Sequence, residues 1–260
     1  MPPKPLTGKK IVITRPKKQS LELGNRLKKL GARIQLFPII RIHPPRDVRP
    51  LRKAISQLHR YDILIFTSPN GVHSFFGQFY SVSKAPVSGL SRLKVCAIGP
   101  KTGETLSSYG VKKPLVPKKF VAESLAQTLH NIRNKRILIP RARKARETLP
   151  RLLRQRGARV DVVEAYETLP EKNGIHQLKK TLLRDSADAI TFTSSSTVES
   201  FVNLFHPSEL KKLFPKSLAV SIGPITTQTL KKHKIYPILQ AREYTSKGIA
   251  QILSQHFYGK

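Results

Sequence analysis

Two stretches carry the residue types that could take hold of an acidic ligand. In ITFTSSSTV, residues 190–198, a short β-branched and aromatic run stops at Thr193 and Ser194 and passes into Ser195, Ser196 and Thr197. LIFTSPNGV, residues 64–72, does the same, stopping at Thr67 and Ser68 before Asn70 and Gly71. Each then opens an amphipathic segment, with Phe201, Val202 and Leu204 in one and Phe75, Phe76 and Phe79 in the other. The pattern is that of a strand, a tight turn and a helix start. Such a turn puts hydroxyls, an amide and unpaired backbone N–H groups at a helix N-terminus, where the dipole favours an anion. Ser, Thr and Asn are also the preferred helix caps, so capping alone would explain a single copy. Two copies in matching context point to an acidic ligand.

The elements that must position these turns also recur. Residues 11–15, IVITR, form an apolar run ending in Arg15. Leu21, Leu23, Leu27 and Leu30 follow at near-helical spacing, and Gly31 closes the segment as a C-terminal cap would. The same layout returns from Arg136, with Arg141 for Arg15, Leu153 for Leu27 and Gly157 for Gly31, each 126 residues on. Thr193, Ser194 and Phe201 keep that offset from Thr67, Ser68 and Phe75. A further unit, KVCAIGPKTGETL from Lys94, returns as LAVSIGPITTQTL from Leu218, pairing Gly99 with Gly223 and Thr102 with Thr226 at an offset of 124. FVAESLAQTL from Phe120 returns as YTSKGIAQIL from Tyr244 at the same spacing. A repeat of this length is a duplicated domain, not a solenoid module.

Alternating βα units predict parallel sheets flanked by helices, with five strands per domain. Residues 33–42 and 159–168 are longer extended runs at equivalent places in the two halves. Each is suited to leave one domain and cross to the other, so that the halves exchange segments.

Composition sets the outer limits. A chain of 260 residues with 39% hydrophobic content can build one large or two small cores without staples. The single cysteine, Cys96, lies in the apolar run KVCAIG, which reads as a buried strand thiol in a reducing compartment. The opening MPPKPLTGKK has no apolar core of a leader, and no stretch approaches the roughly 18 uninterrupted apolar residues of a membrane span. A cytoplasmic protein is expected. The eight histidines are scattered without ligand spacing, so no metal site is expected. Paired carboxylates, a Ser-His-Asp constellation and a helical HExxH are equally missing.

Charge is the outlier, with 48 Lys plus Arg against 15 Asp plus Glu for a formal +33. Such a field attracts nucleic acid, anionic membrane or acidic small molecules and cannot choose among them. The basic residues are spread along helical faces, as in LLRQR at 152–156 and LKKHK at 230–234, which reads as a solvated surface. With no Trp and 7% aromatic content, stacking platforms for single strands are not evident, and no specific nucleic-acid partner is expected.

ITRP at 13–16, TSPNGV at 67–72, IGPKT at 98–102, VEAYET at 163–168, TFTSSSTV at 191–198 and SIGPIT at 221–226 stand in an order and spacing that resembles the uroporphyrinogen-III synthase family across nearly the whole chain. The resemblance implies two flavodoxin-like α/β domains, each a five-stranded parallel sheet of order 2-1-3-4-5, joined by a two-stranded antiparallel ladder with the active cleft between them. Carried onto this chain, the first domain is 1–35 plus 172–260, the second 43–160, and the ladder 36–42 with 161–171. It further implies a cofactor-independent lyase acting on hydroxymethylbilane, a linear tetrapyrrole with eight carboxylates. That substrate loses water and closes to uroporphyrinogen III with ring D inverted. Handover from hydroxymethylbilane synthase and a monomeric state are the partner expectations.

Tyr166 matches the tyrosine that the family places in the cleft. Its phenol, with an ordinary pKa of about 10, stays protonated at neutral pH and suits donation to the departing hydroxyl, or else inter-domain packing. Without an enzyme the bilane closes to the uninverted type I isomer, so catalysis must direct ring geometry more than supply acid or base. Arg15 and Arg141, at the ends of equivalent strands, are candidates for carboxylate contacts. Arg143 and Arg146 extend that edge or are ordinary solvated charges. Gly99 and Gly223 would let backbone approach a ligand closely. The expected substrate-binding set is therefore Arg15, Thr67, Ser68, Asn70, Gly71, Gly99, Thr102, Arg141, Thr193, Ser194, Ser195, Ser196, Gly223 and Thr226. The +33 exceeds what such a cleft needs and is read as a generally basic proteome rather than a second partner. Two other readings keep part of the pattern: a non-enzymatic two-domain binder of an acidic ligand, and a basic nucleic-acid-associated protein.

Overall fold

The computed structural model describes residues 4–82 and 87–258. Residues 1–3 and 259–260 of the expected first domain, and 83–86 of the second, lie outside the described residues. In chain order the elements are β1 (Lys10–Ile13), α1 (Lys17–Lys29), β2 (Arg33–Leu36), β3 (Ile40–His43), α2 (Arg49–Ser56), β4 (Ile63–Phe66), α3 (Pro69–Val82), β5 (Lys94–Ala97), α4 (Pro100–Ser108) and α5 (Ala122–Thr128). They continue as β6 (Arg136–Ala142), α6 (Thr148–Gln155), β7 (Arg159–Pro170), α7 (Ile175–Arg184), β8 (Ala189–Phe192), α8 (Ser195–Val202), α9 (Pro207–Leu213), β9 (Leu218–Ser221), α10 (Pro224–Lys232), β10 (Ile238–Gln240) and α11 (Ser246–Tyr258). The chain divides into two compact units, Met1–Arg41 with Leu169–Lys260, and Ile42–Thr168.

The first unit holds a sheet of order β10-β9-β8-β1-β2, with all four pairings parallel. β8 and β9 are buried at every position, as strands covered on both faces must be, while the edge strands β2 and β10 are partly exposed. Alternation divides the side chains between two cores. Val12, Ile190 and Ala219 join Phe201, Phe205 and Phe214 on one face; Ile11, Ile13, Ala189 and Val220 join Leu23, Leu27 and Leu253 on the other. Leu23 and Leu27 are one helical turn apart on α1, which fixes the face that helix buries. Gly31 then ends α1 at φ +98, and a Cβ there would stand 3.0 Å from the Thr7 backbone nitrogen. Only glycine meets both conditions.

The second unit holds a sheet of order β3-β7-β6-β4-β5, parallel at β4/β5, β4/β6 and β6/β7. Leu64, Phe66, Val95 and Leu138 pack with Phe75, Phe76 and Phe79 of α3. Ile63, Ile65, Cys96, Ile137 and Ile139 pack on the opposite face with Leu125, Leu149 and Leu153. Beyond β5, Leu115 makes a single parallel bridge to Cys96. Register slips once between β6 and β7: Arg141 faces Glu164 but Ala142 faces Tyr166, leaving Ala165 as an extra residue. A bulge of this kind re-aims the side chain that follows it. Ala165 and Tyr166 accordingly both enter the core that contains α3.

The two long extended runs differ from each other. Residues 159–168 lie in one continuous strand, β7. Residues 33–42 break into β2 and β3 around Pro38, which cannot donate to a ladder. The unit boundaries fall inside β3 and β7, which are neighbours in the sheet.

Candidate active site

Tyr166 is a buried polar group on β7 of the second sheet. Its ring is 7% exposed, and its hydroxyl lies 2.9 Å from Ser68 Oγ, at the turn between β4 and α3. Asn70 hydrogen-bonds the same phenol. Burial pushes the Tyr166 pKa above its ordinary value, while the bonds from Ser68 and Asn70 oppose that shift. The phenol is therefore a proton donor at neutral pH. Ser68 Oγ also accepts the Gly71 N–H at 3.1 Å, which caps α3. A Cβ on Gly71 would come within 3.1 Å of the Pro140 carbonyl oxygen, so this glycine lets α3 start against β6.

The duplicated arginines have diverged. Arg141 lies inside β6, and its side chain is 10% exposed. Its Nη1 donates to the Arg146 carbonyl oxygen at 2.8 Å and its Nη2 to the Glu147 carboxylate, so the guanidinium orders the turn that leads into α6. Arg15 follows the end of β1, and residues 20 and 21, equivalent to Arg146 and Glu147, are Ser and Leu. Its Nε is buried and has no hydrogen-bond partner. Burial lowers the Arg15 pKa, partly offset by the charge of Glu22. A buried guanidinium nitrogen without an acceptor is a costly arrangement that a carboxylate would relieve. Arg143 faces two carboxylates, Glu164 at 3.8 Å and the buried Glu167 at 3.5 Å. Arg46 also approaches Glu167, at 3.8 Å.

In the first unit the Ser-rich turn caps its own helix. Ser194 Oγ accepts the Thr197 N–H at 3.2 Å, and the Ser194 N–H donates to Thr197 Oγ1 at 3.3 Å, forming a capping box. Ser196 Oγ lies 2.9 Å from Ser194 Oγ, and Ser195 Oγ accepts from Thr229 Oγ1 at 2.8 Å. Thr193 stays partly exposed at the end of β8. The two Gly-Pro turns differ from this one: α4 starts at Gly99 and α10 at Gly223, each with Pro at the first position and no capping side chain. Thr102 and Thr226 are 3% and 4% exposed, so they pack inward from the first turn of their helices.

Several polar contacts here carried no signal strong enough to single them out in the sequence. Thr227 Oγ1 lies 2.6 Å from Ser221 Oγ and donates to Gln240 Oε1 at 2.7 Å, tying α10 to β9 and β10. The residues equivalent by the repeat are Ala97, Gly103 and Val116, a packed apolar version of the same triangle. Reading the two halves against each other would have exposed that difference, as it would the contrast between Glu147 and Leu21. Among the described residues no cluster of three or more metal-ligating side chains occurs.

Both units are α/β with parallel sheets, and the carboxyl ends of such strands are where open α/β sheets bind ligands. Comparison with known proteins gives the family. A family model described as Uroporphyrinogen-III synthase HemD matches residues 22–251. A uroporphyrinogen-III synthase from Synechococcus elongatus is 30% identical, covering 98% of this chain and 98% of its own. Solved uroporphyrinogen III synthase structures from Thermus thermophilus and Helicobacter pylori share the fold, with TM-scores of 0.70 and 0.62 at 21% and 18% identity. They cover 97% and 95% of this chain and 100% and 99% of their own. The chain belongs to the uroporphyrinogen-III synthase family, enzymes that cyclise hydroxymethylbilane. No helix among the described residues is long and apolar enough to cross a membrane.

Proposed function

We propose that this chain cyclises hydroxymethylbilane with loss of water and inversion of ring D, yielding uroporphyrinogen III without a cofactor. The observation that carries the reading is the buried Tyr166 phenol, held by Ser68 at 2.9 Å on the carboxyl edge of the sheet in a member of this family. A phenol kept protonated by burial donates to the departing hydroxyl of the bilane as the C–O bond breaks. Carboxylates on the pyrroles supply the binding energy. Arg15 is the principal cationic contact, because its Nε lacks an acceptor. Arg141, whose donors are engaged by Arg146 and Glu147, contributes charge to the same edge of the second sheet.

Backbone and side-chain donors complete the set. Thr67, Asn70 and Gly71 serve in the second unit, with Gly99 at the start of α4. Thr193, Ser195 and Ser196 serve in the first, with Gly223 at the start of α10. Ser194, Thr102 and Thr226 keep these turns in shape. Charge-assisted bonds contribute on the order of 1.5 to 3 kcal/mol each, so eight at full value would exceed known affinities. Several carboxylates therefore remain solvated.

Each unit is read as flavodoxin-like. Counting β1, β2, β8, β9 and β10 as first to fifth gives the order 2-1-3-4-5, and the second unit follows with β6, β7, β4, β5 and the Leu115 bridge. Residues 36–42 and 161–171 are read as an antiparallel connecting ladder between domains 1–35 plus 172–260 and 43–160. The Glu171 N–H, which donates to the Ile39 carbonyl oxygen at 2.9 Å, supports that pairing. A monomer receiving the bilane from its synthase in the cytoplasm completes the proposal, the compartment resting on the one buried thiol, Cys96. The test is disappearance of freshly generated hydroxymethylbilane: chelator-treated protein should consume it well above the uncatalysed rate, and consumption at the uncatalysed rate would contradict the proposal.

A further inference from the structure

Two exposed aromatic rings occupy equivalent places in the two halves of the duplication. Tyr244 is 43% exposed and Phe120 is 40% exposed, and they are 124 residues apart, the offset that also relates Gly223 to Gly99. Of the large apolar side chains exposed among the described residues, these two alone are related by the repeat. The Tyr244 ring lies against Gly223, and the base of the Phe120 side chain lies against Gly99. A Cβ on Gly223 would lie 3.1 Å from Cδ1, 3.2 Å from Cγ and 3.5 Å from Cε1 of Tyr244; one on Gly99 would lie 3.5 Å from Cβ and 3.7 Å from Cγ of Phe120.

Neither glycine is required by its torsion angles. Their φ values, 177 and −158, are extended backbone open to any residue. At Gly223 the missing side chain instead makes room for the ring of Tyr244. Neither aromatic joins any of the four hydrophobic cores, and the Tyr244 hydroxyl has no hydrogen-bond partner among the described residues. In both halves a bulky ring is thus kept out of the core beside the carboxyl end of a strand, leaving an exposed apolar face that a flat ring can cover.

We infer that the exposed ring of Tyr244 contacts a pyrrole ring of the substrate at the carboxyl edge of the first sheet, while the carboxylate arms reach polar donors of the same unit. The inference rests on the tetrapyrrole reading above and adds a residue that recognises a ring rather than the charges. A site built on charge alone would accept any polycarboxylate of similar size. An aromatic face restricts it to one that carries rings.

The test uses the full chain and two stable probes: uroporphyrin III, a fluorescent ring-bearing octacarboxylate, and butane-1,2,3,4-tetracarboxylate, which has carboxylates and no ring. Tyr244→Ala should raise the Kd for uroporphyrin and the KM for hydroxymethylbilane on the order of tenfold, the scale of one lost aromatic stack. Inhibition by the tetracarboxylate should be unchanged, and Tyr244→Phe should behave as the wild type. Tyr244→Leu, which keeps apolar packing on Gly223 without a flat ring, gives the same comparison if the alanine variant does not fold, and should resemble it. Unchanged uroporphyrin affinity in the alanine and leucine variants would overturn the inference. So would an equal loss for both probes, which would mean that the ring only shapes the turn. A wild-type protein that neither binds uroporphyrin nor consumes the bilane would instead overturn the functional reading on which the inference stands.

Discussion

The Tyr166 hydroxyl lies 2.9 Å from Ser68 Oγ, and that oxygen also accepts the Gly71 N–H at 3.1 Å. One serine thus joins the phenol on β7 to the first turn of α3. Tyr166→Phe keeps the buried ring and removes only the hydroxyl, so the fold should survive with a loss of about 1 kcal/mol. Turnover should fall by on the order of a hundredfold if the phenol donates to the leaving hydroxyl. Ser68→Ala leaves the bond from Asn70 and should have a smaller effect. Steady-state kinetics on both variants, with thermal melts beside them, decide the matter; unchanged turnover in Tyr166→Phe would remove Tyr166 from the mechanism.

Arg15 and Arg141 should give opposite phenotypes. Arg15→Ala removes a cation whose Nε has no acceptor in the protein, so KM should rise more than kcat falls, with little change in Tm. Arg141→Ala strips the Arg146 carbonyl and Glu147 of their donor and should cost about 1–3 kcal/mol of stability. Lysine at position 15 should restore KM only in part, because an ammonium lacks the planar fork. A fall in kcat with KM unchanged in Arg15→Ala would mean that the contact forms only in the transition state.

Burial pushes the Cys96 thiol from 9.0 up to about 12. The folded chain therefore holds a proton that the unfolded chain releases above pH 9. The associated stability is complete below pH 9 and is lost as pH rises toward 12, by up to about 1.4 kcal/mol per pH unit. Tyr61, also raised to about 12 but from 10.0, joins only above pH 10. Denaturant melts of Cys96→Ala between pH 9 and 10 should show a shallower decline than the parent, whereas an identical slope would mean that the thiol ionises equally in both states.

Gly31→Ala tests the end of α1. A left-handed φ of +98 and the Thr7 nitrogen 3.0 Å from the added Cβ should together cost at least about 1–2 kcal/mol. The loss should appear as a lower Tm with KM for the bilane unchanged, since Gly31 lies away from the carboxyl ends of the strands. A Tm equal to that of the parent would show that the turn relaxes freely.

What the sequence could reveal depended on repetition. The paired turns, the Gly31 and Gly157 stops and the parallel βα order follow from local pattern, and each appears in the structure. Less legible is how one copy departs from the other through contacts distant in sequence or specific to a side chain. Arg141 looked equivalent to Arg15 because its engagement depends on Glu147, where the first half has Leu21. Ser194 looked equivalent to Ser68, yet it closes a capping box with Thr197, while Ser68 reaches Tyr166 across the sheet. The bulge at Ala165 could not be read from VEAYET, because the register of β7 against β6 is set by the pairing of two distant segments and not by the strand alone. Thr102 and Thr226 fall on the inward side of their helices, a matter of helical phase that the Gly-Pro turn does not fix by itself.

The central claim is steered ring closure, and the isomer ratio of the product measures it most directly. Hydroxymethylbilane is generated in the presence of the protein, the products are oxidised to porphyrins, and the type I and type III isomers are separated. Predominantly type III is the result expected. Type I alone, from protein shown to be folded, would contradict the account.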